Sequence, residues 1–268
     1  VQMLNLSFDW VNNFMPHIMQ KIDRVSFGIM NADGSISATH ARKYKQVNHL
    51  AELCRPTWER LVATRPRDAD HPIRALDLAC GNAYLSFVLA EILRREGVAL
   101  RLHGVDVRDD VVTRSRERAA TLGMHHLSFA RASIAEAEAT ATAALAGPPD
   151  LVVALHACDT ATDEALALAI RLGVPAILSV PCCQHELAAQ LARRPDAASP
   201  PPVPALLEHG LLRGAYADLL TDALRVELLA ACGYEVAVVE FVGSEHTAKN
   251  VLLRAHRRHA YAPVDRSR

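Results

Sequence analysis

The sequence predicts an α/β protein: a doubly wound, mostly parallel sheet with an antiparallel pair late in the chain and a helical extension in front. Three observations predict it. From residue 74 onward, continuous apolar runs of strand length alternate with helix-patterned segments, the pattern of a parallel sheet covered on both faces. At residues 76–86 a strand-like run ends in a glycine turn that opens a helix. Near the end, strand-like runs at 234–242 and 250–254 leave no room for a helix between them, so they must pair antiparallel at or near a sheet edge.

In order, Phe8, Trp10, Val11 and Phe14 suggest a short helix broken near Pro16. A helical period returns over 38–61, where Tyr44, Val47, Leu50, Ala51, Cys54 and Trp58 recur at spacings of three or four. Pro56 is expected to kink or split that helix. Residues 65–72 are charged, contain two prolines and read as a linker. The division expected is therefore 1–65, a helical lid or substrate platform, and 66–268, the main domain. Strands follow at 74–79, 100–107, 127–130, 150–156 and 176–181, with helices at 83–95, 110–122 and 160–172. Residues 195–204 are rich in proline and small residues and read as a loop. A last helix over 218–232 stops at Gly233.

Composition narrows the function. The chain has 268 residues, 50% hydrophobic and 22% charged, and a formal net charge of −1. There is no global basic field to draw nucleic acid. No run approaches the roughly 18 apolar residues of a membrane helix, and no secretory signal is visible at the front. Six cysteines, several inside apolar runs and two adjacent, form no disulfide framework. A reducing cytoplasm is the expected compartment.

The most informative stretch is Leu76–Ser86, LDLACGNAYLS. Ligands of open α/β sheets bind at the carboxyl ends of strands. Gly81 lets backbone approach a ligand, and Ala83 is nearly as small. Twenty-five residues on, Asp106 closes the second strand, where an acid can accept both ribose hydroxyls of an adenosine. A dinucleotide site would want three glycines for its pyrophosphate; here only Gly81 is glycine. Asp77 would repel pyrophosphate but suits a cation such as a methionine amino group. These features favour S-adenosylmethionine over a nicotinamide cofactor. In the plainer reading of the same residues, Asp77 caps a helix at an ordinary strand–helix turn.

This stretch resembles the first motif of the class I S-adenosylmethionine-dependent methyltransferases, and the resemblance covers roughly residues 38–257. That family's fold is a Rossmann-like seven-stranded sheet with an antiparallel last strand. More narrowly, Lys45-Gln46, His156–Asp163 (HACDTATD) and Pro181–His185 (PCCQH) are similar to a subfamily that includes tRNA 2′-O-ribose methyltransferases and the methyltransferase domain attached to a glutathione-S-transferase-like protein. The chain departs from it in having Ala83 in place of a second glycine and Asp159 in place of glycine. Ser133 stands in the segment where an acid commonly holds adenine.

What the resemblance implies is an enzyme transferring a methyl group from S-adenosylmethionine to an acceptor, with RNA (tRNA ribose or base) the acceptor by analogy. A small molecule or protein side chain, or a non-catalytic binding module, are the alternatives. Gln46, Asp77, Ala79, Gly81, Asn82, Ala83, Asp106, Val107, Ser133, Ile134 and Leu155 are expected at the methyl donor. His156, Asp159 and Lys45 are the candidate catalytic residues. His156 has the pKa of a base, and Asp159 or Asp163 would orient it or take the proton; alternatively the His156 ring only lines the cofactor. Lys45 would steer an anionic substrate or be a solvated charge. Gln46 would bond the cofactor carboxylate or face water. Cys182, Cys183, His185, Lys249 and Asn250 are expected at the substrate. No metal is expected, because adjacent strand cysteines point in opposite directions.

Overall fold

A computed structural model describes residues 9–23, 35–36, 38–155, 157–181, 184–193, 204–240 and 251–258. Seven strands form one sheet in the order β3-β2-β1-β4-β5-β7-β6. They are β1 (Ile73–Leu78), β2 (Leu100–Asp106), β3 (Leu127–Arg131), β4 (Leu151–Ala154), β5 (Ala176–Ser179), β6 (Tyr234–Glu240) and β7 (Val251–Arg257). The first five are parallel; β7 runs antiparallel to both β5 and β6. The seven-stranded α/β architecture expected from the sequence is the one observed.

The helices are α1 (Asp9–Asp23), α2 (Ala38–Thr64), α3 (Tyr84–Arg95), α4 (Asp109–Thr121), α5 (Ala137–Leu145), α6 (Thr160–Leu172), α7 (Glu186–Ala192), α8 (Pro204–Glu208) and α9 (Gly210–Ala231). Alternation along the strands divides the core. Ile73, Ala75, Leu102, Phe129, Val153 and Leu178 share one apolar body with buried residues of α1 to α4. Leu76, Leu78, Val105, Val152 and Ile177 share the other with α5, α6 and Leu229 of α9. Buried on both faces, these strands carry continuous apolar runs.

The break expected near Pro16 and a split of the second helix at Pro56 do not occur. Pro16 lies inside α1 and Pro56 inside α2. An interior proline removes one hydrogen bond and crowds the preceding turn. Burial on both sides of each outweighs that cost: Met15, Ile18, Met19 and Ile22 in α1, and Ala51, Cys54, Trp58 and Leu61 in α2. The last long helix also starts eight residues earlier than its pattern suggested. Helix α5 went unread because its buried stripe, Ala137, Ala141 and Leu145, is mostly alanine and gives a weak period. Helices α7 and α8 are short and were not anticipated either. The loop read at 195–204 falls almost wholly outside the described residues.

The linker after α2 is tied down. Buried Arg67 forks onto Asp150 at 2.9 and 3.2 Å, and Asp150 also accepts Arg65 Nη2 and the Arg74 N–H. One carboxylate thus anchors the entry to β1 beside the start of β4. On the neighbouring flank, fully buried Glu91 of α3 takes Lys21 of α1 at 2.7 Å, together with Arg94 and Arg95. Burial pushes the Glu91 carboxyl up, but these donors outweigh it and hold the group down at about 2.

Close approach explains one glycine. A Cβ on Gly104 would lie 2.6 Å from the Phe129 ring and 3.2 Å from Cys80 Sγ. Phe129 stacks on Phe87 at 5.7 Å. This packing seats the turn after β1 against β2, two residues before Asp106.

Candidate active site

The carboxyl ends of β1, β2, β4 and β5 lie side by side, with Leu78 level with Val105, and Ala154 with Ser179. Sheet order reverses between β1 and β4, the switch point where open α/β sheets hold ligands. The turn leaving β1 fills that position. Ala79, Gly81 and Ala83 all have left-handed backbone, with φ of 53°, 55° and 52°. Two of the three are not glycine and carry steric strain. The turn brings Gly81 N–H to Asp106 Oδ2 at 2.9 Å. Ala83 begins α3 with no side-chain cap, so N–H groups of that first turn lack a side-chain acceptor.

Two carboxylates face this turn. Asp77 is buried and accepts the Ser86 hydroxyl at 2.5 Å. Burial drives its carboxyl up to about 7; the Ser86 bond pulls it down and the Asp106 charge pushes it up. Asp106 is buried as well. Burial would raise it, but hydrogen bonds from the Arg108 side chain and from the backbone of Arg108 and Gly81 outweigh that and hold it below the usual range. Cys80 beneath the turn is inert: burial and both carboxylates push its thiol far up. Val107, next to Asp106, is 60% exposed, an apolar surface at the mouth.

Ser133 is committed locally. Its backbone N–H and hydroxyl both donate to Glu136, and Glu136 N–H donates back to Ser133 Oγ. This reciprocal exchange, the pattern of a capping box, closes the turn that leads into α5, whose N-cap is Glu136. Ile134 is buried, Leu155 half-buried and Asn82 exposed.

The β4 and β5 loops are joined by Asp159, whose Oδ1 accepts the N–H of His185 at 3.1 Å and of Glu186 at 3.2 Å. Its backbone, φ 55° and ψ −126°, is a glycine conformation. Asp163 is taken by Arg225 of α9, at 2.7 and 3.0 Å. The same guanidinium reaches the Asp159 carbonyl and Asp222, and Asp222 accepts Gln184 Nε2 at 2.8 Å. Helix α9 is thereby pinned to both strand-end loops. His185 and Cys158 are exposed.

Lys45 and Gln46 lie in α2, and only their backbone is described. The Leu53 carbonyl accepts Arg254 Nη1, and Arg254 pairs with Leu178 of β5. Lys45 lies eight residues before Leu53 in α2, about 12 Å along the helix axis. His156, Cys182, Cys183, Lys249 and Asn250 lie outside the described residues.

Sequence reasoning missed Ser86, Arg108 and Gln184. A polar residue within the run LSFVL was the available signal for Ser86; nothing in the spacing marked the other two.

A family model described as a methyltransferase domain matches residues 42–190, more than half of the chain. The chain belongs to this methyltransferase family. No curated protein matches this methyltransferase. Among solved structures, it is similar to the SAH-bound Podospora anserina methyltransferase PaMTH1, with 13% identity over 96% of this chain and 98% of that one and a TM-score of 0.49. It is also similar to an rRNA methylase from Streptococcus thermophilus, with 11% identity, 80% and 95% coverage and a TM-score of 0.45. Against WbdD the identity is 18%, with 81% of this methyltransferase matched, a TM-score of 0.49 and only 41% of the WbdD chain spanned. Among the described residues, no helix is long and apolar enough to cross a membrane.

Proposed function

We propose that this methyltransferase uses S-adenosylmethionine and that its acceptor is RNA, at a tRNA ribose or base. The observation that carries the donor assignment is Asp106 at the end of β2, bonded to Gly81 in the turn after β1. The residues present fit the donor. Asp106 accepts ribose hydroxyls, Asp77 faces the amino group, and the uncapped start of α3 suits a carboxylate. Val107 and Ile134 offer apolar surface to adenine. When bound, the donor supplies an electrophilic methyl group on a sulfonium.

In this reading His156 takes the proton of a hydroxyl acceptor. Asp159 fixes the loop bearing His185 rather than moving the proton itself. Residues 1–65 supply the acceptor platform, with Lys45 steering an anionic substrate and Cys182, Cys183, Lys249 and Asn250 lining its path. The RNA assignment is supported by the likeness of the motifs at 156–163 and 181–185 to tRNA 2′-O-methyltransferases. Unbridged Cys54, Cys80 and Cys232 suit a cytoplasmic setting.

Calorimetric titration with S-adenosylmethionine and S-adenosylhomocysteine tests the donor, with binding expected and strongly weakened by Asp106→Ala. No heat from folded protein with either ligand would overturn it. Labelled donor incubated with total RNA, and separately with RNA-free extract, tests the acceptor. Label found only in protein or small molecules overturns RNA, and binding without any transfer points to a non-catalytic module.

A further inference from the structure

The four hydrogen bonds on Asp106 are an occupancy problem for any nucleoside. Oδ1 accepts Arg108 N–H at 3.0 Å and Arg108 Nε–H at 3.0 Å. Oδ2 accepts Gly81 N–H at 2.9 Å and Arg108 Nη2 at 3.2 Å. A carboxylate has about four lone-pair sites, so this one is full. Two of its donors are backbone N–H groups that belong to the fold, and two come from the Arg108 fork. A ribose diol brings two hydroxyl donors. The exchange is therefore one fork for one diol, while the two backbone donors keep the carboxylate aimed.

We infer that Arg108 is a latch over the nucleoside site: its guanidinium holds Asp106 closed and must swing out before a ribose diol can bind. This deepens the donor reading above and rests on it. The Arg108 side chain is 58% exposed, so the swing opens no core. Asp110, in the first turn of α4 and already paired with Arg114 at 2.6 Å, also acts on the Arg108 charge. Backbone N–H groups on Asp106 are unaffected by truncating Arg108, so the variant separates the latch from the turn. The latch makes the diol a requirement: an analogue lacking the 2′-hydroxyl exchanges two fork bonds for one.

The test is calorimetric titration of the full chain, wild type, Arg108→Ala and Arg108→Lys, with S-adenosylhomocysteine at low and moderate salt, after circular dichroism shows each to be folded. Arg108→Ala is expected to bind about fivefold more tightly, the upper end of the range for exposed ion pairs, because the Asp106 end of this one is buried, with Arg108→Lys between. Salt screens the pair, so it should tighten wild type and leave Arg108→Ala unmoved. The Arg108 Nε–H resonance should shift on saturation in wild type. If wild type binds and Arg108→Ala binds equally or more weakly, the latch is overturned while the donor reading stands. If neither folded protein binds, both fall.

Discussion

Asp106 Oδ2 accepts the Gly81 N–H at 2.9 Å, so a single carboxylate ends one strand and fixes the turn that leaves its neighbour. Truncation at Asp106 therefore acts on the empty protein as well as on binding. Asp106→Ala is expected to lower unfolding free energy by about 1–3 kcal/mol through the donors it strands. Urea denaturation without ligand checks this; an unchanged midpoint would mean the turn holds itself.

Asp77 gives donor binding a pH profile. Its folded-state carboxyl sits at about 7, above the ordinary 3.8. Between those values the folded chain holds a proton the unfolded chain has lost, so this group's contribution to stability falls as pH rises through the window. Binding a cationic amino group requires the ionised form. Affinity for S-adenosylhomocysteine is expected to rise with pH and level off above about 7, with about a tenfold loss one unit below. Asp77→Asn should flatten the curve, and a profile equally steep in that variant would assign it to another group.

The left-handed alanines respond differently to glycine. Relieving φ 53° at half-buried Ala79 is expected to stabilise the fold by about 0.5–1 kcal/mol, after the unfolded chain's gain in freedom is deducted. Ala83 has the same backbone but a buried methyl, worth about 0.8 kcal/mol, so Ala83→Gly should be close to neutral. Thermal denaturation of the two variants side by side measures the difference.

Asp159 combines a strained backbone with a useful side chain. Asp159→Ala keeps the strain and loses both bonds to the β5 loop, and a cost of about 1–2 kcal/mol is expected. Asp159→Gly loses the bonds but relaxes the backbone, so it should be the more stable of the two. The reverse order in chemical denaturation would show that φ 55° is not strained there.

The sheet could be read from sequence because its strands are apolar throughout and its turn at Gly81 is chemically distinctive. Helix α6 matches its expected bounds, Thr160–Leu172, since Leu166 and Leu168 join its buried Thr162, Ala165 and Ala169 and Gly173 ends it in left-handed backbone. Alanine-striped α5 escaped, although the pattern Ser133-x-x-Glu136 announces its start. Pairings across the sheet were not legible. Arg108 on Asp106, and Arg225 on Asp163 and Asp222, join residues whose meeting depends on three-dimensional register rather than spacing. For the same reason the sequence offers Asp163 for proton chemistry with no sign of the Arg225 guanidinium that the fold sets on it.

Met15, Ile18, Met19 and Ile22 lie in the same apolar body as Phe87 and Leu102, which bears on how the protein can be cut. A recombinant fragment beginning at residue 66 would bare that flank to water and is expected to come out of expression trials as aggregate. Limited proteolysis of the intact chain should correspondingly spare the stretch from Cys54 to Ile73, held by Arg67 and its carboxylate partner.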